Sequence, residues 1–166
     1  MLCFGLKPPF SFAAFLKRCR GFIPDKDIEL LGTVSLSGEN VYERTQLSIF
    51  KRWRVFEAAL RNELVKIRAA RRHIEPHKYL RDDKYIELSI VHIATLVSRI
   101  PSIIESEKIM DQERWRFLDD LAMGHYFDLD FLMIYAYKLL ILEKWEKINS
   151  ADKVRALESV LKRIEN

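Results

Sequence analysis

The chain has 166 residues, a formal net charge of +4 and 49% hydrophobic residues. This length suits a single domain with a real core, and the low glycine and proline counts argue against long loops and extended disorder. Cys3 and Cys19 form neither a C-x-x-C motif nor a zinc-ligand spacing, so we expect free thiols in a reducing cytosol. We recognise no signal peptide, lipidation motif or membrane span, and therefore expect a cytoplasmic protein.

Two short helices are predicted near the start of the chain. Ser11 is placed to cap a helix that stops at Gly21, because serine accepts a bond from the first turn and glycine permits the turn that follows. Pro24–Leu31 is predicted as a second short helix, which Gly32 ends. Thr33–Asn40 is predicted as a loop or at most a short pair of strands.

A long helix is predicted over Val41–His73, and Pro76 is expected to break it. Apolar residues recur along it at steps of three and four, which places them on one face of a helix. These residues are Leu47, Phe50, Trp53, Phe56, Leu60, Leu64 and Ile67.

Two further helices are predicted next. The first covers Tyr85–Arg99, and the second begins after Ser102 and runs to Met123. Ser102 and Glu105 have the spacing of a capping box, in which each side chain bonds the backbone of the other. Three residues of the second helix are expected to face the core: Trp115, Leu118 and Leu121.

The most informative element is an apolar helix near the carboxyl end. Gly124 is predicted to end the preceding helix in a left-handed conformation, and Asp128 is predicted to cap the next one. From Leu129 to Leu142 the new helix is apolar on every side except at Asp130 and Lys138. Such a helix is either central in a bundle or spans lipid, and the run is shorter than the roughly 20 residues that a bilayer needs. We therefore expect other helices to surround it.

A last amphipathic helix is predicted over Ala151–Ile164, with Ser150 as its cap. Phe127 and Leu132 have the spacing of a hydrophobic staple at the start of the central helix. Together the patterns predict an all-α fold, a single-domain bundle over residues 1–166. It has about five substantial helices and two short amino-terminal ones, built round the central apolar helix.

Five residues near the turn before the central helix invite a chemical interpretation: Asp119, Asp120, His125, Asp128 and Asp130. Carboxylates and a histidine could bind a hard metal or act as acid and base, so a metal-dependent hydrolase is one alternative function. Simpler roles are available, because Asp128 and Asp130 suit a helix amino terminus while Asp119 and Asp120 suit a solvated face. We favour these structural roles.

Two other features could carry chemistry. His73 and His77 lie four residues apart, as in helical zinc sites, but Pro76 stands between them and breaks the helix. We interpret this segment as a polar helix end. Lys138 could be a buried nucleophile with a depressed pKa, but a lysine in an apolar helix more often pairs with a carboxylate or snorkels to the edge.

Basic residues are dense on the long helix, and Glu57 and Glu63 interrupt them. Such a helix could follow a phosphate backbone, so a nucleic-acid-binding module using the Lys51–Arg72 helix is the second alternative. We favour a solvated face or a docking surface for an acidic protein. The basic residues are Lys51, Arg52, Arg54, Arg61, Lys66, Arg68, Arg71 and Arg72.

Four stretches carry a resemblance to a known family: KPPFSFAAFLKRC at Lys7–Cys19, FEAALRNELVKIRAARR at Phe56–Arg72, ESEKIMDQERWRFLDDL at Glu105–Leu121, and GHYFDLDFLMIYAYKLLILEKW at Gly124–Trp145. The chain resembles a family of bacterial proteins that are encoded with V-type ATPases and described as C-subunit-like. Family members begin with a Tyr-rich, strand-like segment, whereas only Met1–Leu6 precede the Lys-Pro stretch here. We therefore expect an amino-terminal family segment to be missing.

The resemblance implies a non-catalytic stalk component that couples the rotary shaft to the membrane ring. It implies no cofactor, metal or catalytic residue. The expected partners are other V-type ATPase subunits of the central stalk and membrane ring, with no nucleic acid and no direct membrane insertion. The expected location is cytoplasmic, at the inner face of the membrane through these partners. The candidate protein interface comprises Arg52, Arg61, Arg68, His125 and Asp128.

Overall fold

All regular elements of the described chain are helical, which confirms the predicted all-α class. The computed structural model describes residues 2–36, 48–81 and 88–164, with the backbone alone over 152–164. A short 3-10 helix, His77–Tyr79, lies among the α-helices. The α-helices are α1 (Phe12–Cys19), α2 (Asp25–Gly32), α3 (Ser48–Arg72), α4 (Leu88–Arg99), α5 (Ile103–Leu121) and α6 (Leu129–Ile164).

The chain forms two compact units. The first unit combines Met1–Leu36 with Tyr126–Asn166, and the second is Ser37–His125. Helices α1, α2 and α6 therefore belong to the first unit, and α3, α4 and α5 to the second. That both units make one domain over residues 1–166 stays a prediction. Within the described ranges, no helix has the length and apolarity needed to cross a membrane.

In the first unit, α1 and α2 both pack against α6. The Ser11 hydroxyl oxygen accepts the Ala14 N–H at 3.1 Å, and Gly21 takes a positive φ of 85°, so both predicted ends of α1 are confirmed. The Phe12 N–H donates to Glu143 Oε1 at 2.7 Å. This carboxylate satisfies a first-turn donor of α1 and places negative charge at the positive end of its dipole.

The first half of α6 is the most buried part of the described chain, as predicted. Its start is fixed by the Phe131 N–H, which donates to Asp128 Oδ1 at 2.8 Å. The preceding helix ends at Leu121, and Gly124 has a φ of 87°. The predicted Asp128 cap and left-handed Gly124 are therefore confirmed. Buried residues then follow almost without a break: Met133, Ile134, Ala136, Tyr137, Lys138, Leu139, Ile141 and Leu142.

Two predictions about α6 are wrong. The helix continues through Ser150 to Ile164, so no separate helix begins at Ala151. No glycine or proline interrupts the sequence there, and an interior serine costs a helix only a few tenths of a kcal/mol. The Phe127 ring is fully exposed, so it forms no staple with Leu132. The Asp128 side chain supplies the start of the helix without it.

In the second unit, α4 packs against both α3 and α5. Buried Phe56, Ala59, Leu60 and Ile90 form its core, and the Phe56 and Phe117 rings stack at 4.2 Å between centroids. The predicted apolar face of the long helix is therefore confirmed by the buried Phe50, Trp53, Phe56 and Leu60, whereas Leu64 and Ile67 are half-buried. Leu47 and the predicted helix starts at 41 and 85 lie outside the described residues.

Helix α3 ends four residues before Pro76. His73 adopts a φ of 54°, its N–H bonds the Ala70 carbonyl at 3.3 Å, and the Ile74 N–H bonds the Ala69 carbonyl at 3.1 Å. This pair of bonds is a Schellman motif, in which a left-handed residue satisfies the last carbonyls of a helix. The prediction that Pro76 breaks the helix is therefore wrong. The left-handed turn at His73 ends the helix before the chain reaches Pro76.

Candidate functional site

The isolated chemical candidates occupy ordinary structural positions. His73, Glu75 and His77 are exposed, and His77 Nε2 lies 3.9 Å from Glu75 Oε2. Lys138 is only 7% exposed and takes part in at least one interaction, and its pairing with a carboxylate stays a prediction. In the part of the chain that the structure describes, no cluster of three or more His, Cys, Asp or Glu residues could hold a metal ion.

The acidic residues near α6 are divided between the two units. Asp119 and Asp120 are exposed on α5, and the His125 backbone N–H donates to a carbonyl of the α5 terminus at 3.0 Å. Asp128 is exposed and caps α6. These placements give Asp128 a capping role and Asp119 and Asp120 exposed positions. That His125 and Asp128 belong to a protein interface stays a prediction.

The basic residues of α3 do not share one face. Residues of an α-helix are turned by about 100° from one to the next, so Arg54, Arg61 and Arg68, seven apart, lie on one face. Arg52 precedes Arg61 by nine residues, which turns it to the opposite face. The structure therefore brings Arg61 and Arg68 together and leaves Arg52, the third predicted interface arginine, apart from them.

Arg61 and Arg68 line a groove between α3 and α5, within the second unit. It consists of two adjoining hollows of about 330 and 260 Å³ that share Leu64, Arg68 and Met110. Its apolar lining includes Leu60 and Val97. We call it the arginine groove, and its charged lining residues are Glu57, Arg61, Arg68, Arg71, Arg81, Glu107 and Arg114.

The carboxylates of the groove are engaged by Arg114. Its guanidinium bonds Glu57 at 2.6 and 3.2 Å, the fully buried Asp111 at 2.8 Å, and Glu107 at 3.4 Å. Burial by itself lowers the pKa of Arg114, but the charges of Glu57 and Asp111 raise it above that of a free arginine. Glu57 is therefore paired with Arg114 of α5 rather than with the basic residues of α3 itself.

The remaining arginines give the groove a surplus of positive charge. Among the side chains described in residues 2–36, 48–81 and 88–151, none forms an ion pair or hydrogen bond with the Arg61, Arg68 or Arg81 side chain. The buried Asn62 amide holds the Arg81 backbone through two bonds of 2.9 and 3.0 Å. Arg71 donates to the Ser98 carbonyl at 2.7 Å. The groove is thus cationic along its length over an apolar floor.

Sequence reasoning missed three charged residues of the groove, Arg81, Glu107 and Arg114, and the buried Asp111 that Arg114 bonds. Glu107, Asp111 and Arg114 are spaced by four and three residues, which predicts one face of α5, so this cluster could have been recognised. Arg81 carries no comparable local signal. Its position depends on Asn62, which lies 19 residues earlier on another element.

A second surface, in the first unit, is apolar. A hollow of about 420 Å³ is lined by aromatic rings, among them Phe10, Phe15 and Tyr135, and by the 88% exposed Phe22. The Arg18 guanidinium lies 4.4 Å from the Phe10 ring centroid. Burial raises the pKa of the Tyr135 phenol, and the charge of Arg18 opposes that rise. We call this hollow the aromatic cleft.

Fold and groove together define an all-α protein of two helical units with a cationic surface groove. The chain matches the model of a family described as a protein of unknown function (DUF2764) over residues 91–166. This match covers less than half of the chain and includes α5 and α6. Neither the curated proteins nor the solved structures contain a significant match to it.

Proposed function

We propose that the protein is a non-catalytic, C-subunit-like component of a bacterial V-type ATPase. It links the rotary shaft to the membrane ring from the cytoplasmic side and reaches the membrane through partner subunits. The four resembling stretches suggest this family, and two of them, Phe56–Arg72 and Glu105–Leu121, contribute to the arginine groove. The groove is the observation that carries the proposal, because a cationic rim over an apolar floor suits protein docking.

The lengths of the helices suit a coupling role. Helix α6 has 36 residues and α3 at least 25, which correspond to about 54 and 38 Å at 1.5 Å per residue. A component that transmits torque needs elements that do not bend under load, and long helices with a buried face supply them. Asp128 also caps α6, and Arg114 forms an ion cluster inside the second unit, so both side chains have structural roles.

Co-purification tests the proposal. The tagged full chain is co-expressed with the V-type ATPase subunits and captured at low and at high salt, with an unrelated helical protein of similar charge as the control. We expect stalk or ring subunits to be retained by the chain and not by the control, more strongly at low salt. If the chain captures no ATPase subunit at either salt, the proposal is wrong.

A nucleic-acid-binding module is the second candidate, and one observation favours it. Arg54, Arg61, Arg68 and Arg72 recur on one exposed face of α3, as in a helix that follows a phosphate backbone. Binding to duplex DNA would then fall steeply with salt, with a logarithmic slope of about 0.9 per phosphate contacted. Tight binding of DNA at physiological salt by the purified chain would favour this candidate over the stalk component.

A further inference from the structure

We propose that the arginine groove binds an acidic amphipathic helix of a partner protein. Acidic side chains of this helix pair with the groove arginines, and its apolar side chains lie on the groove floor. The inference rests on the proposed function and adds the chemistry of the partner segment to it.

The dimensions of the groove suit a helix. Along α3 the lining extends from Glu57 to Arg71, which is about 21 Å at 1.5 Å per residue. A partner helix of about 14 residues has the same length. Leu64 and Met110 line both hollows, and the 85% exposed Ile103 lies at the Arg71 end. An apolar stripe at steps of three and four residues could therefore contact an apolar floor along the whole groove.

The charge of the groove selects an acidic occupant. Arg114 is already bonded to Glu57 and Glu107, whereas Arg61, Arg68 and Arg81 have no bonded partner among the residues described. A guanidinium presents a planar fork of donors that matches a carboxylate in two-point contact. Positive residues of a partner would be repelled at these positions, so the groove discriminates against a basic helix.

The apolar floor distinguishes a protein helix from a phosphate backbone. A sugar-phosphate chain gains little from contact with Leu64 or Met110, whereas leucine side chains of a helix would remove that surface from water. Methionine adapts its shape to different apolar partners, which suits a docking floor. We therefore assign the groove to a protein segment, and nucleic acid becomes an outcome of the test.

Several groups hold the groove in shape before binding. Arg114 bonds carboxylates of both α3 and α5 and so fixes their separation at one end. At the other end, Arg71 joins α3 to the carbonyl of Ser98 on α4. Asn62 fixes the backbone of Arg81. A site that is ordered in advance loses less entropy when it binds its ligand.

A synthetic helix provides the probe. It has about 14 residues, with leucines at steps of three and four and glutamates beside them, and it carries the fluorescent label. Binding to the full chain is measured by fluorescence anisotropy. The groove variant carries both Arg61→Glu and Arg68→Glu. The matched control is Lys51→Glu with Arg52→Glu, which makes the same charge change on exposed residues of the same helix outside the groove.

We expect the wild-type chain to bind the probe and the groove variant to bind it at least about tenfold more weakly, with the control variant within about threefold of wild type. A probe with lysine in place of glutamate should prefer the groove variant, because reversing both charges restores the attraction. A probe of the same composition without the apolar stripe should bind more weakly. Circular dichroism and denaturation establish that both variants are folded.

Several outcomes would overturn the inference. The wild-type chain could fail to bind the probe, or the wild type and the groove variant could bind it equally. The striped and stripe-free probes could also bind equally, or duplex DNA alone could displace the probe. Co-purification with ATPase subunits separates this failure from that of the proposed function. If the groove variant retains the subunits as wild type does, the function stands and the groove assignment is wrong. If wild type retains none, the function fails whatever the probe shows.

Discussion

Arg114 joins two helices of the second unit through carboxylates on both of them. Glu57 lies on α3, whereas Asp111 and Glu107 lie on α5, and Asp111 is fully buried. A buried charge that loses its partner keeps the cost of leaving water without the attraction that offset it. Removing the arginine is therefore more damaging than removing an exposed cation of the same groove.

Arg114→Met should lower the free energy of unfolding by about 3–5 kcal/mol, the usual cost of breaking a buried ion pair. Arg61→Met is the control, and we expect a change of about 0.5 kcal/mol or less because Arg61 is exposed. Urea denaturation measures both. Equal stabilities for the two variants would show that the Arg114 cluster does not stabilise the second unit.

The two cysteines should react at different rates. Cys3 is exposed, whereas Cys19 is half-buried and its burial raises the pKa of the thiol. Thiolate is the reactive form, so Cys19 should react more slowly with a disulfide reagent at mildly alkaline pH, and its rate should increase as the pH rises towards its pKa. Two phases are expected, and Cys3→Ser should remove the fast one. A fast phase that survives in Cys3→Ser would contradict the assignment.

At the scale of the element, helix ends show what the sequence could and could not predict. Ser11, Ser102 and Asp128 were predicted as caps, and each side chain accepts the expected N–H. These signals are local, because the cap and its donor are three residues apart. Ser150 has the same local pattern but lies inside α6. A cap forms only where the chain leaves helical geometry, and nothing near Ser150 makes it do so.

This difference can be measured. Asp128→Ala should lower the free energy of unfolding by about 1 kcal/mol, because the Phe131 N–H loses its acceptor. Ser150→Ala should be neutral or slightly stabilising, because alanine has the higher helix propensity in an interior position. Thermal or urea denaturation measures the free energy of unfolding of both variants. A loss of about 1 kcal/mol at Ser150 would mean that a second helix begins there.

The buried half of α6 should tolerate no charge. Ile141→Asp should unfold the protein, because Ile141 is fully buried and an unpaired buried charge costs several kcal/mol. Tyr135→Asp should be milder, because Tyr135 is half-buried beside the aromatic cleft. Lys147→Asp is the exposed control. If Ile141→Asp unfolds cooperatively with a stability close to that of wild type, Ile141 does not lie in the core.

For the whole molecule, the periodicity of the sequence predicted the fold class but could not predict the candidate site. The apolar faces around Phe56 and Leu118 were predicted because each depends on spacing within one helix. The arginine groove depends instead on how α3, α5 and the segment at Arg81 come together. Arg52 was grouped with Arg61 for the same reason, since a count of basic residues does not resolve the faces of a helix.

We propose that the chain couples the ATP-driven shaft to the membrane ring. The most direct measurement compares V-type ATPase complexes purified with and without this chain, reconstituted into vesicles, for ATP hydrolysis and for ATP-driven ion uptake. We predict that complexes lacking the chain hydrolyse ATP but accumulate little ion, and that adding the purified chain back restores uptake. Equal ion uptake per ATP hydrolysed in the two preparations would contradict the account.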